Sequence, residues 1–172
     1  APAATAPGRA ASAGSAPEEG RPGRPPQAPD PWAGDVPPAL AAVRAKVEAG
    51  ERLSSGELRE IRAYAREHED DPRPHLLSGH AYFERRWRSD ALERYLLAHR
   101  VAPQRAGGDP RMLANLVAMA AAPPPLGTKA ADALKKVYGP EATDAVDAAL
   151  DRGDLAPGQE RRLRDLRESL AR

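Results

Sequence analysis

The chain has 172 residues, no cysteine, and 26 basic against 25 acidic side chains for a formal charge of +1. Disulfides, thiolate metal sites and thiol catalysis are thereby excluded, and charges of both signs are too interspersed to make a field that draws nucleic acid or anionic lipid. The longest apolar run, Leu116 to Ala122, falls far short of the ~20 residues that span a bilayer, so no membrane insertion is expected.

Ten of the nineteen prolines lie at or before Pro38. Residues 1–36 are rich in Ala, Pro and Gly, carry Trp32 as their one aromatic and show no apolar periodicity, so a disordered Pro/Ala-rich linker is expected there. Ala1 is not an initiator methionine, and no basic-then-apolar leader follows it. This reads as a processed chain or an excised piece, tethered to an upstream domain or membrane anchor. Lack of thiols suits a cytoplasmic or a periplasmic location alike. Residues 37–172 are enough to bury one modest core.

From Pro37 onward Ala, Leu, Arg and Glu dominate and no strand alternation occurs, which predicts an all-α fold. Pro37 and Pro38 open a first helix through Leu40, Val43 and Val47 that Gly50 closes. Ser54 or Ser55 caps a second, carrying Leu58, Ile61 and Tyr64 and antiparallel to the first, and the acidic cluster before Pro72 breaks it. A third helix starts at Pro72 to Pro74 and reaches about Arg86. A fourth is expected from an N-cap at Ser89 or Asp90 to Arg100, with Pro103 as its stop. Asp109-Pro110 is a cap followed by a first-turn proline, and the helix it opens bears Met112, Leu113, Leu116 and Met119 until Pro123. Three further helices are expected: Thr128 to Tyr138, Glu141 to Arg152 and Pro157 to Ala171.

Between Pro72 and Pro103 the chain reads Gly79-x2-Tyr82-x8-Ala91-x3-Tyr95-x2-Ala98-x4-Pro103. Small residues stand where two helices of a hairpin cross, and tyrosines fill the space beside them. The stretch resembles one tetratricopeptide repeat, a helix-turn-helix unit of about 34 residues. Arg86 stands at the customary turn glycine. Upstream, Ser55 to Pro72 looks like the second helix of a preceding unit. Downstream, Leu113 and Leu116 agree with a further copy, whereas Pro125 falls where its second helix needs a small residue. The resemblance implies an array of antiparallel helical hairpins, with Pro140 to Leu170 as a C-terminal helical cap. The whole arrangement, linker included, resembles the C-terminal regions of myxobacterial multidomain serine/threonine kinases, although the kinase motifs are not in this chain.

In tetratricopeptide proteins the first helix of each hairpin lines a concave groove. The resemblance therefore puts Arg73, Leu76, His80, Phe83 and Glu84 on that face, with Arg111 and Asn115 from the next unit available to clamp a peptide carboxylate. It implies a non-catalytic scaffold for a protein or peptide, serving as adaptor or sensory module, with a kinase domain in cis as one partner. The alternative is a structural bundle that pairs with its own copies. No cofactor is expected. His75 and His80 lie about 140° apart around a helix, which does not make a metal pair. Asp144, Asp147, Asp151 and Asp154 lack the glycine and terminal glutamate of a calcium loop and read as a solvated face. Arg152-Gly153-Asp154 is explained by a glycine helix stop, and no serine sits in a nucleophile elbow.

Overall fold

The computed structural model describes residues 28–172. Among the described residues there are nine α-helices and no strand. They are α1 (Pro38–Glu48), α2 (Ser55–Glu67), α3 (Arg73–Glu84), α4 (Arg88–Val101), α5 (Pro103–Gly107), α6 (Pro110–Ala120), α7 (Leu126–Val137), α8 (Thr143–Asp151) and α9 (Pro157–Leu170). A 3-10 turn, Gly139–Ala142, joins α7 to α8.

Local chemistry explains most of these boundaries. Ser54 and Glu57 form a reciprocal capping box: the serine hydroxyl accepts from the Glu57 N–H, and the Glu57 carboxylate accepts from the Ser54 N–H at 2.7 Å. The Asp109 carboxylate accepts from the Met112 N–H at 2.8 Å, and Pro110 fills the first position of α6 where its missing N–H costs nothing. At the end of α3, the Trp87 N–H reaches the Tyr82 carbonyl and the Arg86 N–H reaches that of Phe83, both at 2.9 Å. These are the paired bonds of a Schellman ending, and Arg86 occupies its left-handed position with φ of 64°. The Trp87 ring packs on Tyr82, centroids 5.7 Å apart, as the apolar contact of that motif.

Three sequence expectations need correction. The fourth helix begins at Arg88, with Trp87 rather than Ser89 or Asp90 at its N-cap, because the Schellman turn delivers the chain straight into it. Pro103 does not simply stop that helix: it starts the short α5, a role its fixed φ suits equally well. Glu141 lies in the 3-10 turn, and α8 starts after it.

Two helices sit at the centre of the packing. α3 is flanked by α1, α2, α4 and α6, and every residue from Leu76 to Tyr82 is buried. A helix buried around its whole circumference can only be a core helix. α6 touches α3, α4, α5, α7, α8 and α9, and buries Met112, Leu116 and Met119 completely. Removing a side chain of that size from water contributes about 1.5–3 kcal/mol, so these three residues are a large part of the joint between the two ends of the molecule. α3 and α4, joined by Arg85-Arg86-Trp87, are the most closely packed pair, with the fully buried Tyr95 ring against Gly79. A methyl at residue 79 would collide with that ring. Arg62 of α2 donates to the Tyr82 hydroxyl at 2.7 Å, and Arg162 of α9 donates to the Ala121 carbonyl at 2.8 Å.

The expected linker of residues 1–36 falls in two parts. Residues 1–27 lie outside the described residues. Ala28 to Val36 lie on the helical body: Pro31 is buried, and Trp32 and Val36 pack against the core. Gly108 permits this approach, since a side chain there would strike the Pro29 carbonyl.

Candidate functional site

The chain's main polar cluster forms where α3, α4 and α6 converge beneath the N-terminal segment. Asp109 and His80 are almost completely buried, as are Tyr95 and Asn115. His80 Nε2 stands 3.3 Å from Asp109 Oδ2, and His80 Nδ1 stands 2.9 Å from the Tyr95 hydroxyl. Asn115 Nδ2 donates to the same hydroxyl at 2.7 Å, and Trp32 Nε1 donates to Asp109 Oδ2 at 2.9 Å. One proton arrangement accommodates all of these contacts. The asparagine donates to the phenol oxygen, the phenol to Nδ1, and the Nε2 proton to the carboxylate, which also accepts from Trp32 and the Met112 N–H.

Burial opposes charge on Asp109, but the hydrogen bonds from His80, Trp32 and the Met112 N–H outweigh it and hold its carboxyl below the usual range. Burial drives the Tyr95 phenol far above its ordinary value, so it serves as a neutral hydroxyl. His80 has both ring nitrogens engaged inside the protein.

Above the cluster lies a cleft of about 240 Å³, bordered by Trp32, Arg44, Val47, Leu77, His80 and Arg111. The Arg44 guanidinium sits 4.7 Å over the Trp32 ring, a favourable placement of a cation on an aromatic face. Arg73 forks onto Asp71, with its Nη2 at 2.7 Å from Oδ2, and also donates to the Asp35 carbonyl at 3.0 Å. Burial works against ionisation of Asp71, and the Arg73 contacts more than compensate, leaving its carboxyl lowered.

The seven residues expected to line a groove thus have separate fates. His80 and Asn115 meet on the Tyr95 hydroxyl, and Leu76 is wholly buried. Glu84 and Arg111 pair at 2.8 Å, and Arg111 also donates to the Val47 carbonyl. Phe83 is half-buried under the Arg88 guanidinium, and Arg73 is held by Asp71 and the N-terminal segment. In this structure α1 and residues 28–36 pack against this face. Arg111 and Asn115 are already committed to internal partners, so they are not a carboxylate clamp in this conformation.

Trp32 and Asp109 were missed as site residues. The helix-cap reading of Asp109-Pro110 accounted for one carboxylate oxygen and left the other without an assignment. A lone tryptophan in an Ala/Pro segment was the other available signal, but its partner is 77 positions away.

Comparisons with protein-family models, with curated proteins and with solved structures find no match.

α4 and α7 border a groove of about 510 Å³, lined by none of the site residues described above. Leu92, Leu96, Leu126 and Ala133 give it an apolar lining, and exposed Glu93 and Lys136 are among its charged residues.

Proposed function

We propose that this protein is a non-catalytic helical scaffold that holds an extended protein or peptide segment across the face made by α1, α3 and α6. The observation that carries this reading is the seating of the chain's own residues 30–36 on that face. Trp32 reaches Asp109 through its indole N–H, and the Asp35 carbonyl accepts from Arg73. The face therefore offers what a peptide groove needs: an aromatic slot, a buried acceptor at its base, and an arginine that binds main chain. Full engagement of both His80 nitrogens favours an architectural role for the His80–Asp109 pair over an acid–base one. In this reading the α3–α4 pair is a tetratricopeptide-like hairpin, α8 and α9 cap the array, and the whole serves as adaptor or sensory module of a larger signalling chain. A kinase domain in cis is one partner of that kind.

A labelled peptide, Ala-Pro-Asp-Pro-Trp-Ala-Gly-Asp-Val, copies residues 28–36 and tests the groove. It should bind the Trp32→Ala protein measurably more tightly than the unaltered chain, in which the native tryptophan competes. The same peptide with alanine for tryptophan should not bind. Failure of the tryptophan peptide to bind the Trp32→Ala protein would remove the groove assignment.

The apolar α4–α7 groove favours a second reading, self-association through an isologous contact. Light scattering at high concentration would then give a multiple of 18.4 kDa, reduced to a single copy by Leu96→Glu. A strict monomer disposes of that reading.

A further inference from the structure

The chain segment seated on the α1–α3–α6 face is not extended throughout. Asp30, Pro31, Trp32 and Ala33 form a β-turn: the Ala33 N–H donates to the Asp30 carbonyl at 3.1 Å, and the main-chain N–H of Trp32 donates to Asp30 Oδ1 at 2.9 Å. Each residue type suits its place. Proline at the second position of a turn arrives with the φ that the turn needs, and an aspartate at the first holds the main chain two residues on. Pro31 is buried while Asp30 and Ala33 are exposed, so the turn is seated with its proline inward. Beyond it Gly34 bends the chain at φ of 87°, and the Asp35 carbonyl then reaches Arg73 at 3.0 Å.

The seat of the indole is selective. At its base Asp109 is only 2% exposed, and its Oδ2 accepts from the indole N–H at 2.9 Å. A buried carboxylate deprived of a donor is left with a desolvated lone pair, so the site favours a ring that donates there. Phenylalanine has no donor, and tyrosine carries its donor at the tip of the ring. Of the three large aromatics, tryptophan brings a donor on the ring edge and leaves the ring face to a cation. The Arg44 guanidinium occupies that face at 4.7 Å.

This seat is also accessible. The cleft of about 240 Å³ borders Trp32, His80 and Asp109, and the indole keeps part of its surface in solvent, so the ring is reached from outside the frame.

We propose that the groove recognises, in a partner protein, a tryptophan presented on an Asp-Pro turn, with Asp109 selecting tryptophan among the large aromatics and the turn aspartate pre-forming the bound shape. This assignment rests on the groove reading and deepens it by naming the ligand, a segment of the type Asp-Pro-Trp-x-Gly. A turn formed before binding has less freedom to lose on docking. Residues 30–34 of the chain are then the resident copy that a partner's copy displaces.

The host for the test is the full-length Trp32→Ala protein, with a circular-dichroism melt to establish that it is folded. The probe is a fluorescein-labelled peptide copying residues 28–36, titrated by anisotropy. Benzothienylalanine in place of its tryptophan exchanges the N–H for sulfur and keeps the ring shape. Binding should then weaken about tenfold or more, the scale of a lost hydrogen bond to a buried charge. Alanine at the peptide position of Asp30 should weaken binding severalfold. Asparagine there should restore it, because its side-chain oxygen still accepts from the tryptophan N–H. Equal binding of the benzothienylalanine peptide, or of the alanine peptide, would overturn the assignment and leave the groove reading in place. No binding of the parent peptide would remove both. Should Trp32→Ala melt without a cooperative transition, the unaltered chain decides by hydrogen exchange of its indole N–H groups, with half-exposed Trp87 as the internal reference. The Trp32 indole should exchange more slowly than that of Trp87, severalfold faster in Asp30→Ala than in the unaltered chain, and at an unchanged rate in Asp30→Asn. Exchange at Trp32 as fast as at Trp87 in the unaltered chain, or unaffected by Asp30→Ala, would overturn the assignment.

Discussion

Asp109 ties three parts of the molecule together. One oxygen caps α6, while the other accepts from a tryptophan in the N-terminal segment and from a histidine in α3. Asparagine at 109 keeps the shape but puts an N–H₂ where an acceptor is required, leaving a buried donor facing another donor. Asp109→Asn should therefore cost about 1–3 kcal/mol, read as a lower midpoint in urea. The pH dependence has a definite sign. Asp71 and Asp109 both have carboxyls lowered in the folded protein, so the unfolded chain binds protons more readily. Their contribution is complete above the unfolded carboxyl value of about 3.9 and is lost as pH falls through the lower folded values. Melting temperature should thus decline below about pH 4, and less steeply in Asp109→Asn than in the unaltered protein. An equal slope in the two would mean that Asp109 carries none of the dependence. At Gly79 the governing factor is contact rather than charge. Gly79→Ala places a methyl into the Tyr95 ring, which is wholly buried and tied to His80 and Asn115, so the ring cannot move aside freely. A loss of about 1–3 kcal/mol is expected by denaturant melting, and an unchanged midpoint would contradict this packing.

Among the elements, the turn from α3 into α4 carries a stored cost that can be removed. Arg86 holds φ of 64°, a conformation that L-residues with a Cβ adopt at a penalty of about 1 kcal/mol and that glycine adopts freely. Its side chain is exposed. Arg86→Gly should raise stability by about 0.5–1 kcal/mol, offset in part by the greater entropy of the unfolded chain, and a lower midpoint would show that the arginine side chain stabilises the turn by other means. This turn also separates what was legible in the sequence from what was not. A serine cap at Ser54 or Ser55 and the Asp109-Pro110 pair are local signals, and they marked the starts of α2 and α6. The start of α4 was misplaced because Ser89 and Asp90 are good caps by type, whereas the Schellman bonds from Arg86 and Trp87 decide the geometry. Pro103 is ambiguous by its own chemistry: it ends one helix and begins another. For the site, the resemblance put His80 and Asn115 on a groove face; in the structure both contact the buried Tyr95 hydroxyl. The cover over them was invisible, because the Trp32–Asp109 bond depends on tertiary proximity and no periodicity encodes it.

At the scale of the whole molecule, α3 and α6 are the shared walls of everything else. α1 and α2 pack on α3, α8 and α9 pack on α6, and the two walls meet each other directly. The N-terminal segment is held on this frame by a few specific bonds rather than by a wide apolar face: the Trp32 indole on Asp109, the Arg73 contact with the Asp35 carbonyl, and the close passage by Gly108. Local opening free energies follow buried contact, so hydrogen exchange should rank the parts. Amides in the middle of α3 and α6, around Leu77 to Ala81 and Leu116 to Ala120, should exchange only through global unfolding. Those of Ala33 to Val36 should exchange orders of magnitude faster. Trp32→Ala should accelerate the N-terminal amides further and expose His80, while the protection of α6 stays within the change in global stability. That pattern would describe a frame that persists while its cover opens, as a scaffold holding a replaceable segment requires. Uniform loss of protection in Trp32→Ala would instead make the tryptophan a structural member of the core, and the segment could not then exchange with a partner without unfolding the frame.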